Sequence, residues 1–157
     1  AVQTMARVAN VAEDAKDSRN DIPVPSVKNE IATYLAETAV GASKELPIKA
    51  IITDSFTGKT ARYLDAFRSP IPVFSLCYEA RVARELALSF GVYAEIIKEG
   101  KSKGETLRAT IEKLVGDNEL QLGDLVAYIG GSFGAGTSFL EILTIENLLK
   151  KIESYVN

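Results

Sequence analysis

Short apolar runs that alternate with helical patterns constrain the fold of this chain more than any other sequence feature. The runs AIIT (50–53), IPVFSL (71–76) and VYAEII (92–97) are rich in Ile and Val and apolar on consecutive positions. Between them, segments 58–67 and 79–89 have the spacing of apolar residues that is typical of helices. Short strands of this kind belong to parallel sheets that crossover helices cover on both faces. The alternation therefore predicts an α/β fold.

The second half of the chain continues this pattern. A helix is predicted from residue 104, followed by a buried strand within residues 120–131. The segment FLEILTI (139–145) predicts a last strand, which we expect to pair antiparallel with its predecessor across the glycine-rich loop 130–138. Residues 146–156 predict a closing helix.

The N-terminal residues predict a separate unit. Residues 1–17 carry apolar residues at helical spacing, and the segment DIPVP (21–25) contains two prolines, which favour extended backbone. Ser26 is a good N-cap for the helix of about five turns that follows. We expect residues 1–24 to be a helix and linker from a preceding domain, and residues 25–157 to form the domain proper. Because the chain starts inside an amphipathic pattern, we also expect it to be an excised or processed piece.

Composition excludes several classes of protein. The chain has 157 residues, 46% of them hydrophobic, and a net charge of −3, which fits one soluble globular domain. It contains no histidine and one cysteine, so a zinc-finger-type site, an internal disulfide and the commonest general base are all excluded. The negative net charge predicts no basic surface that could bind nucleic acid. No apolar run reaches the roughly 18 to 20 residues of a membrane span. We therefore expect a cytoplasmic protein without nucleic-acid or membrane partners.

The turn between the first apolar run and its following helix has the chemistry of an anion site. Ser55, Thr57 and Thr60 offer hydroxyl groups, and Lys59 adds a positive charge. The first N–H groups of a helix lack backbone partners and the helix dipole is positive there, so a phosphate fits this turn. The ending GKT is similar to a P-loop, but Thr53 stands where that motif needs glycine. The alternative is that Ser55 and Thr57 only cap the helix while Lys59 is solvated.

The glycine-rich loop 130–138 is the second candidate. Four of its nine residues are glycine, which lets the backbone approach a ligand closely. In a parallel sheet this loop and the turn at residues 53–60 both follow the carboxyl ends of strands, where open α/β sheets bind ligands. We therefore expect the two segments to face one pocket. The alternative is a hairpin connection whose glycines only supply positive φ angles.

Other polar residues predict ordinary structural roles. Glu79, Arg81, Arg84 and Glu85 fit a solvated helix face with ion pairs four residues apart. Cys77 ends a predicted strand, where a lone cysteine is typically a small buried apolar residue. No carboxylate pair and no nucleophile with its base stands out, so no catalytic residue is predicted.

Taken in order, these segments resemble the pyruvate kinase family over nearly the whole chain. AVQTMARVANVAEDA is similar to the end of that family's catalytic barrel. EIATYLAETAV, AIITDSFTGKTARYLDAFRSPIPVFSL, ARVARELALSFGVYAEI and LQLGDLVAYIGGSFGAGTSFLEIL resemble its C-terminal domain. The resemblance implies a three-layer α/β/α sandwich with a mostly parallel five-stranded sheet whose last strand is antiparallel.

The resemblance also implies an allosteric effector site in this domain. The residues at the family's phosphate-binding turn are Ser55, Thr57, Gly58, Lys59 and Thr60, and those at its effector loop are Gly131, Ser132, Gly134, Gly136 and Thr137. The turn differs from the family's pattern at two positions. Phe56 and Lys59 replace hydroxyl residues that are common in members regulated by fructose 1,6-bisphosphate. The chain also lacks the tryptophan that grips a second phosphate in some members. A sugar monophosphate or a nucleoside monophosphate is therefore the expected effector.

The resemblance places catalysis outside this chain. In pyruvate kinases the barrel holds the substrates, magnesium and potassium, so we expect no cofactor in this chain and no activity without the barrel. The expected partners are a small phosphorylated effector, the chain's own barrel and three further copies in a homotetramer. The main alternative is a structural or oligomerisation module of the same fold without an effector site. A free-standing phosphate-binding enzyme is disfavoured by the missing histidine and carboxylate pair.

Overall fold

Helices and strands alternate along the part of the chain that the structure, a computed structural model, describes, namely residues 2–15, 31–97, 103–131 and 136–156. In chain order the elements are α1 (Val2–Ala15), α2 (Ile31–Glu45), β1 (Ile48–Ser55), α3 (Lys59–Ala66), β2 (Val73–Cys77), α4 (Ala80–Leu86), β3 (Val92–Ile96), α5 (Lys103–Gly116), β4 (Leu125–Gly130), β5 (Phe139–Thr144) and α6 (Ile145–Val156).

The five strands form one sheet in the order β3-β2-β1-β4-β5. Strand β1 pairs in parallel with β2, with Ile51 opposite Val73, and in parallel with β4, with Thr53 opposite Ile129. Strands β2 and β3 are also parallel, whereas β5 runs antiparallel to β4. The mostly parallel sheet and the antiparallel last strand predicted from sequence are therefore confirmed.

Helices cover both faces of the sheet. On one face Ile51 packs in a buried cluster with Leu64 of α3 and with residues of α2, and α4 adds a smaller adjoining cluster. On the other face Ile52 packs with Ile111 of α5 and Leu148 of α6. Successive residues of a strand point to opposite faces, so a run such as Ala50-Ile51-Ile52 supplies both cores. These layers confirm the three-layer α/β/α sandwich.

The edge position of β3 explains one difference from the sequence prediction. Strand β2 is buried along its whole length, as expected for a strand covered on both faces. The expectation does not hold for β3, where Tyr93 and Ile96 are more than half exposed. Strand β2 also begins later than predicted, at Val73, because Pro72 has no N–H group to donate to the sheet.

Helix α1 leaves its apolar stripe uncovered. Val2, Met5, Val8 and Val11 are all more than 60% exposed. The helix is described from Val2 to Ala15. None of the helices in the described ranges is long and apolar enough to cross a membrane.

Part of the predicted boundary region lies outside the described residues. This applies to the linker at residues 21–25 and to the N-cap Ser26, while α2 is described from Ile31. The division between residues 24 and 25 stays a prediction.

A matched pair of glycine substitutions tests the backbone assignment. Gly41 is in the interior of α2 and Gly91 precedes β3 with φ 66°, and a Cβ atom at either position meets nothing within 4 Å. Gly41→Ala is expected to raise the free energy of unfolding by about 0.5–1 kcal/mol, since alanine loses less backbone entropy in a helix. Gly91→Ala is expected to lower it by about 1–2 kcal/mol, because the left-handed conformation strains any residue with a Cβ. Urea denaturation measures both, and a change of the same sign in the two variants would contradict the assignment.

Candidate functional site

The turn after β1 leads directly into the start of α3. Strand β1 ends at Ser55, the turn continues through Phe56 and Thr57, and α3 begins at Lys59. The N-cap is Gly58, which has no side chain to accept a hydrogen bond from the first helical turn. Gly58, and not Ser55 or Thr57, therefore occupies the N-cap position.

Packing explains why a glycine occupies that position. Gly58 has φ 73°, in the left-handed region that favours glycine. A Cβ atom there would lie 3.1 Å from Val82 Cγ1 and 3.3 Å from Leu86 Cδ2, both on α4. The close approach of α4 thus fixes the conformation of the turn just before Lys59.

A direct hydrogen bond joins the turn to the glycine-rich loop. The hydroxyl oxygens of Thr60 and Thr137 lie 2.7 Å apart, although 77 residues separate them in sequence. Thr60 is buried, at 4% exposure. The turn and the loop thus meet at these two residues. That the two segments face one pocket stays a prediction.

Glycines in the loop serve close packing as well as backbone conformation. A Cβ atom on Gly131 would lie 1.7 Å from the carbonyl oxygen of Gly136, so the two ends of the loop pass in backbone contact. Gly136 has φ 74°, and the N–H of Ser138 donates to the carbonyl of Gly130 at 2.9 Å. The predicted effector-loop residues Ser132 and Gly134 lie outside the described residues.

Arg62 links the turn to α4 through a hydrogen bond and an ion pair. Its Nη1 donates to the carbonyl oxygen of Thr57 at 3.1 Å, and its Nη2 forms an ion pair with Glu85 Oε2 at 2.8 Å. Glu85 also accepts from Arg81 Nε at 2.8 Å, as the four-residue spacing predicted. The hydrogen bond from Arg81, followed by the charges of Arg81 and Arg62, lowers the pKa of Glu85. Arg62 therefore orients the turn, while Lys59 is exposed beside it with Nζ 5.9 Å from the Tyr63 ring centre.

An aromatic cluster lies next to the turn on the α5/α6 face of the sheet. The rings of Phe56 and Tyr78 are stacked, 4.1 Å apart and inclined by 6°. Burial, the negative charge of Asp54 and a hydrogen bond to Asp54 raise the pKa of Tyr78 to about 12. Burial, with the charge of Asp54, also raises the pKa of Tyr128, whose ring meets Phe139 edge to face at 5.5 Å. Cys77 immediately precedes Tyr78 in the chain. It is fully buried, and this burial raises the pKa of its thiol.

The arrangement suits binding of one anion. The hydroxyl group of Thr57, the charge of Lys59 and the start of α3 lie within three residues of chain, and the buried hydroxyl group of Thr60 beside them is hydrogen-bonded to Thr137. Within the described ranges, no group of three or more His, Cys, Asp or Glu side chains could hold a metal ion.

Comparison with known proteins decides the family. The profile of "Pyruvate kinase, alpha/beta domain" matches residues 33–143. The pyruvate kinase of Borreliella burgdorferi is 36% identical over 128 residues, which cover 78% of this chain and 27% of that protein. The chain belongs to the pyruvate kinase family.

Other pyruvate kinases agree in sequence and in fold. The enzyme of Bacillus licheniformis is 29% identical over 89% of this chain and 24% of its own length. A crystal structure of a pyruvate kinase from Cryptosporidium parvum has the same fold, with a TM-score of 0.73, 22% identity, and coverage of 92% of this chain and 29% of that one. The chain thus spans about a quarter of the length of the pyruvate kinases that it matches.

Sequence reasoning missed three residues of this pyruvate kinase domain that shape the site. The contact of Arg62 could have been predicted from its position, since it lies one helical turn after Gly58 and its long side chain can reach back to the turn. Asp54 and Tyr78 follow the buried parts of two strands, but nothing in the sequence shows that these strands are neighbours in the sheet.

The raised pKa of Tyr78 predicts a loss of stability at alkaline pH. The folded state holds this proton up to about pH 12, above the ordinary tyrosine pKa of about 10. The stability that protonated Tyr78 contributes to the folded state is complete below pH 10, and it is lost as the pH rises through 12. The free energy of unfolding, measured in urea between pH 9 and 11, is expected to fall less steeply in Tyr78→Phe than in the unsubstituted chain. Tyr34→Phe, on the exposed surface of α2, is the control, and equal slopes in Tyr78→Phe and the unsubstituted chain would contradict the assigned environment.

Proposed function

We propose that this pyruvate kinase C-terminal domain binds a phosphorylated effector at the turn 55–60 and the loop 131–137. The main support for this proposal is the hydrogen bond between Thr60 and Thr137, which joins the turn to the loop. A phosphate held by Thr57, Lys59 and the first N–H groups of α3 lies next to that contact. The two described ends of the loop are in backbone contact at Gly131 and Gly136.

Regulation follows if the two segments are held differently in two states of the enzyme. An effector that binds more tightly when turn and loop are joined shifts the population toward that state. The same difference in affinity links effector binding to substrate binding at a distant site. In this proposal Arg62 transmits the change, because it ties the turn to α4 through Glu85.

The complete protein in this proposal is a cytoplasmic pyruvate kinase, which transfers phosphate between phosphoenolpyruvate and ADP. Its barrel would supply the substrate, magnesium and potassium sites. The exposed apolar stripe of α1 supports a partner of this kind, because Val2, Met5, Val8 and Val11 present an apolar surface that a preceding domain would cover. We propose a homotetramer as the assembly of that complete protein.

Paired substitutions test the phosphate site. Thr57→Ala is expected to weaken the binding of ribose 5-phosphate about tenfold or more, because a hydrogen bond to a charged group is worth about 1.5–3 kcal/mol. Lys59→Ala is expected to weaken it by roughly two- to fivefold, with the loss shrinking at high salt, because an exposed charge is screened. Isothermal titration calorimetry measures both.

Thr38→Ala and Lys44→Ala, on α2, are the matched controls and should leave the affinity unchanged. Binding that is the same in Thr57→Ala, in Lys59→Ala and in the controls would contradict the assigned site. A chain that binds no phosphate compound but self-associates in sedimentation experiments would instead be an oligomerisation module of the same fold.

A further inference from the structure

A cavity of about 510 Å³ lies beside the amino ends of β2 and β3. Its lining includes Ile71 and Pro72, which precede β2, and Gly91, which precedes β3. Strands β1 to β4 are parallel, so this end of the strands is opposite to the end where the turn and the glycine-rich loop begin. The volume is within the range of sites for small organic ligands. The cavity is therefore a candidate site that is separate from the proposed phosphate site.

Aromatic side chains form part of the cavity lining. The ring of Phe74 belongs to the α5/α6 core and lies against that of Tyr93, with ring centres 5.7 Å apart. Tyr93 is 59% exposed, so much of its ring is open to a ligand. Phe90 also lines the cavity, and the guanidinium of Arg68 lies 4.8 Å from its ring centre while pairing with Asp65. The face of an aromatic ring attracts cations, as the contact of Arg68 illustrates within this chain.

Acidic residues give the cavity a negative charge. Three of them line it, namely Glu95, Asp117 and Glu119, and none of the described residues in the lining is basic. Lys113 balances one of these charges, because its Nζ forms an ion pair with Glu95 Oε2 at 2.8 Å. Three carboxylates and this one ammonium group leave two negative charges in excess.

The direction of the helices adds to the negative potential. Helix α5 ends at Gly116, and the next residue, Asp117, lines the cavity. Helix α3 ends at Ala66, and Ser69, just beyond it, lines the cavity as well. The C-terminal end of a helix carries a partial negative charge of roughly half a unit, which attracts cations. Rings, carboxylates and helix ends thus all favour a positively charged ligand.

We propose that this cavity binds an organic cation whose charge is surrounded by alkyl groups, of the quaternary ammonium class. Such a cation packs its methyl groups on aromatic and aliphatic surface, and the rest of the lining offers Pro70, Ile71, Pro72 and Leu114 for this. A primary ammonium group instead needs acceptors for three N–H donors. Asp117 and Glu119 are exposed, so water competes for such hydrogen bonds.

Choline and 3,3-dimethylbutanol are a matched pair of probes, because they have the same shape and differ in the charged nitrogen. Titration of the ¹⁵N-labelled chain with choline, followed in ¹H–¹⁵N correlation spectra, is expected to shift the amide signals of residues 91–95 and 117–119 with one saturation curve. The neutral alcohol is expected to bind about three- to thirtyfold more weakly. It lacks both the attraction to the rings and the attraction to the carboxylates.

Substitutions in the lining separate these two attractions. Tyr93→Ala is expected to weaken choline binding about two- to fivefold, whereas Tyr93→Phe, which keeps the ring, should retain the affinity. Asp117→Asn is expected to weaken it up to about fivefold, with a loss that shrinks at high salt. Tyr34→Ala and Glu37→Gln, at exposed positions of α2, are the matched controls and should leave the affinity unchanged.

Three outcomes would overturn this inference. One is equal affinity of the chain for choline and the neutral alcohol. Another is a choline affinity that is the same in Tyr93→Ala, in Asp117→Asn and in the unsubstituted chain. The third is binding of butane-1,4-diamine but not of choline, since hydrogen bonds and not aromatic surface would then hold the cation. Thr57→Ala, at the other end of the strands, should leave choline binding unchanged, so failure of the phosphate site and failure of this site are distinguishable.

Discussion

Strand β1 lies at the centre of the sheet, and its parallel pairing with β4 is the constraint on which the site depends. Thr53 is opposite Ile129, although three helices and two strands separate them along the chain. Because the two strands are parallel and in this register, both end at the same edge of the sheet. The turn after β1 and the loop after β4 therefore start beside each other, and Thr60 can reach Thr137. Antiparallel pairing of β1 with β4 would place the two segments at opposite ends of the molecule.

Contacts around the turn keep its geometry fixed. A Cβ atom at position 58 would come within 3.1 Å of Val82 and 3.3 Å of Leu86, and Arg62 holds the carbonyl of Thr57 from the helical side. These contacts come from α4 and α3, so the turn is shaped by packing on the α2/α3/α4 face of the sheet. The stack of Phe56 on Tyr78 supports it from the other face. Together these contacts hold the turn from both faces of the sheet, and in our proposal this order lowers the entropy cost of binding a ligand there.

Local patterns predict most of the fold, while the contacts within the site depend on tertiary placement. The consecutive apolar residues of Ala50, Ile51 and Ile52 predict a strand that is buried on both faces, because each residue must face one of two cores. The same reasoning fails at Tyr93, since the sequence does not say which strand lies at the edge. The N-cap could not be assigned from hydroxyl residues alone, because the contact of Gly58 with α4 decides it. The stack between residues 56 and 78 requires the neighbourhood of β1 and β2, which only the sheet order supplies.

The central claim is that one anion binds where the turn and the loop meet. Binding there would draw together two segments that the sheet already places side by side, and in our proposal this contact couples the effector to a distant reaction. The most direct test is a titration of the isotopically labelled chain with inorganic phosphate, followed in ¹H–¹⁵N correlation spectra. The account predicts that the amide signals of residues 56–60 and 136–138 shift together with one saturation curve. Shifts confined to one of the two segments, or spread over lysine-rich surfaces without saturation, would contradict it.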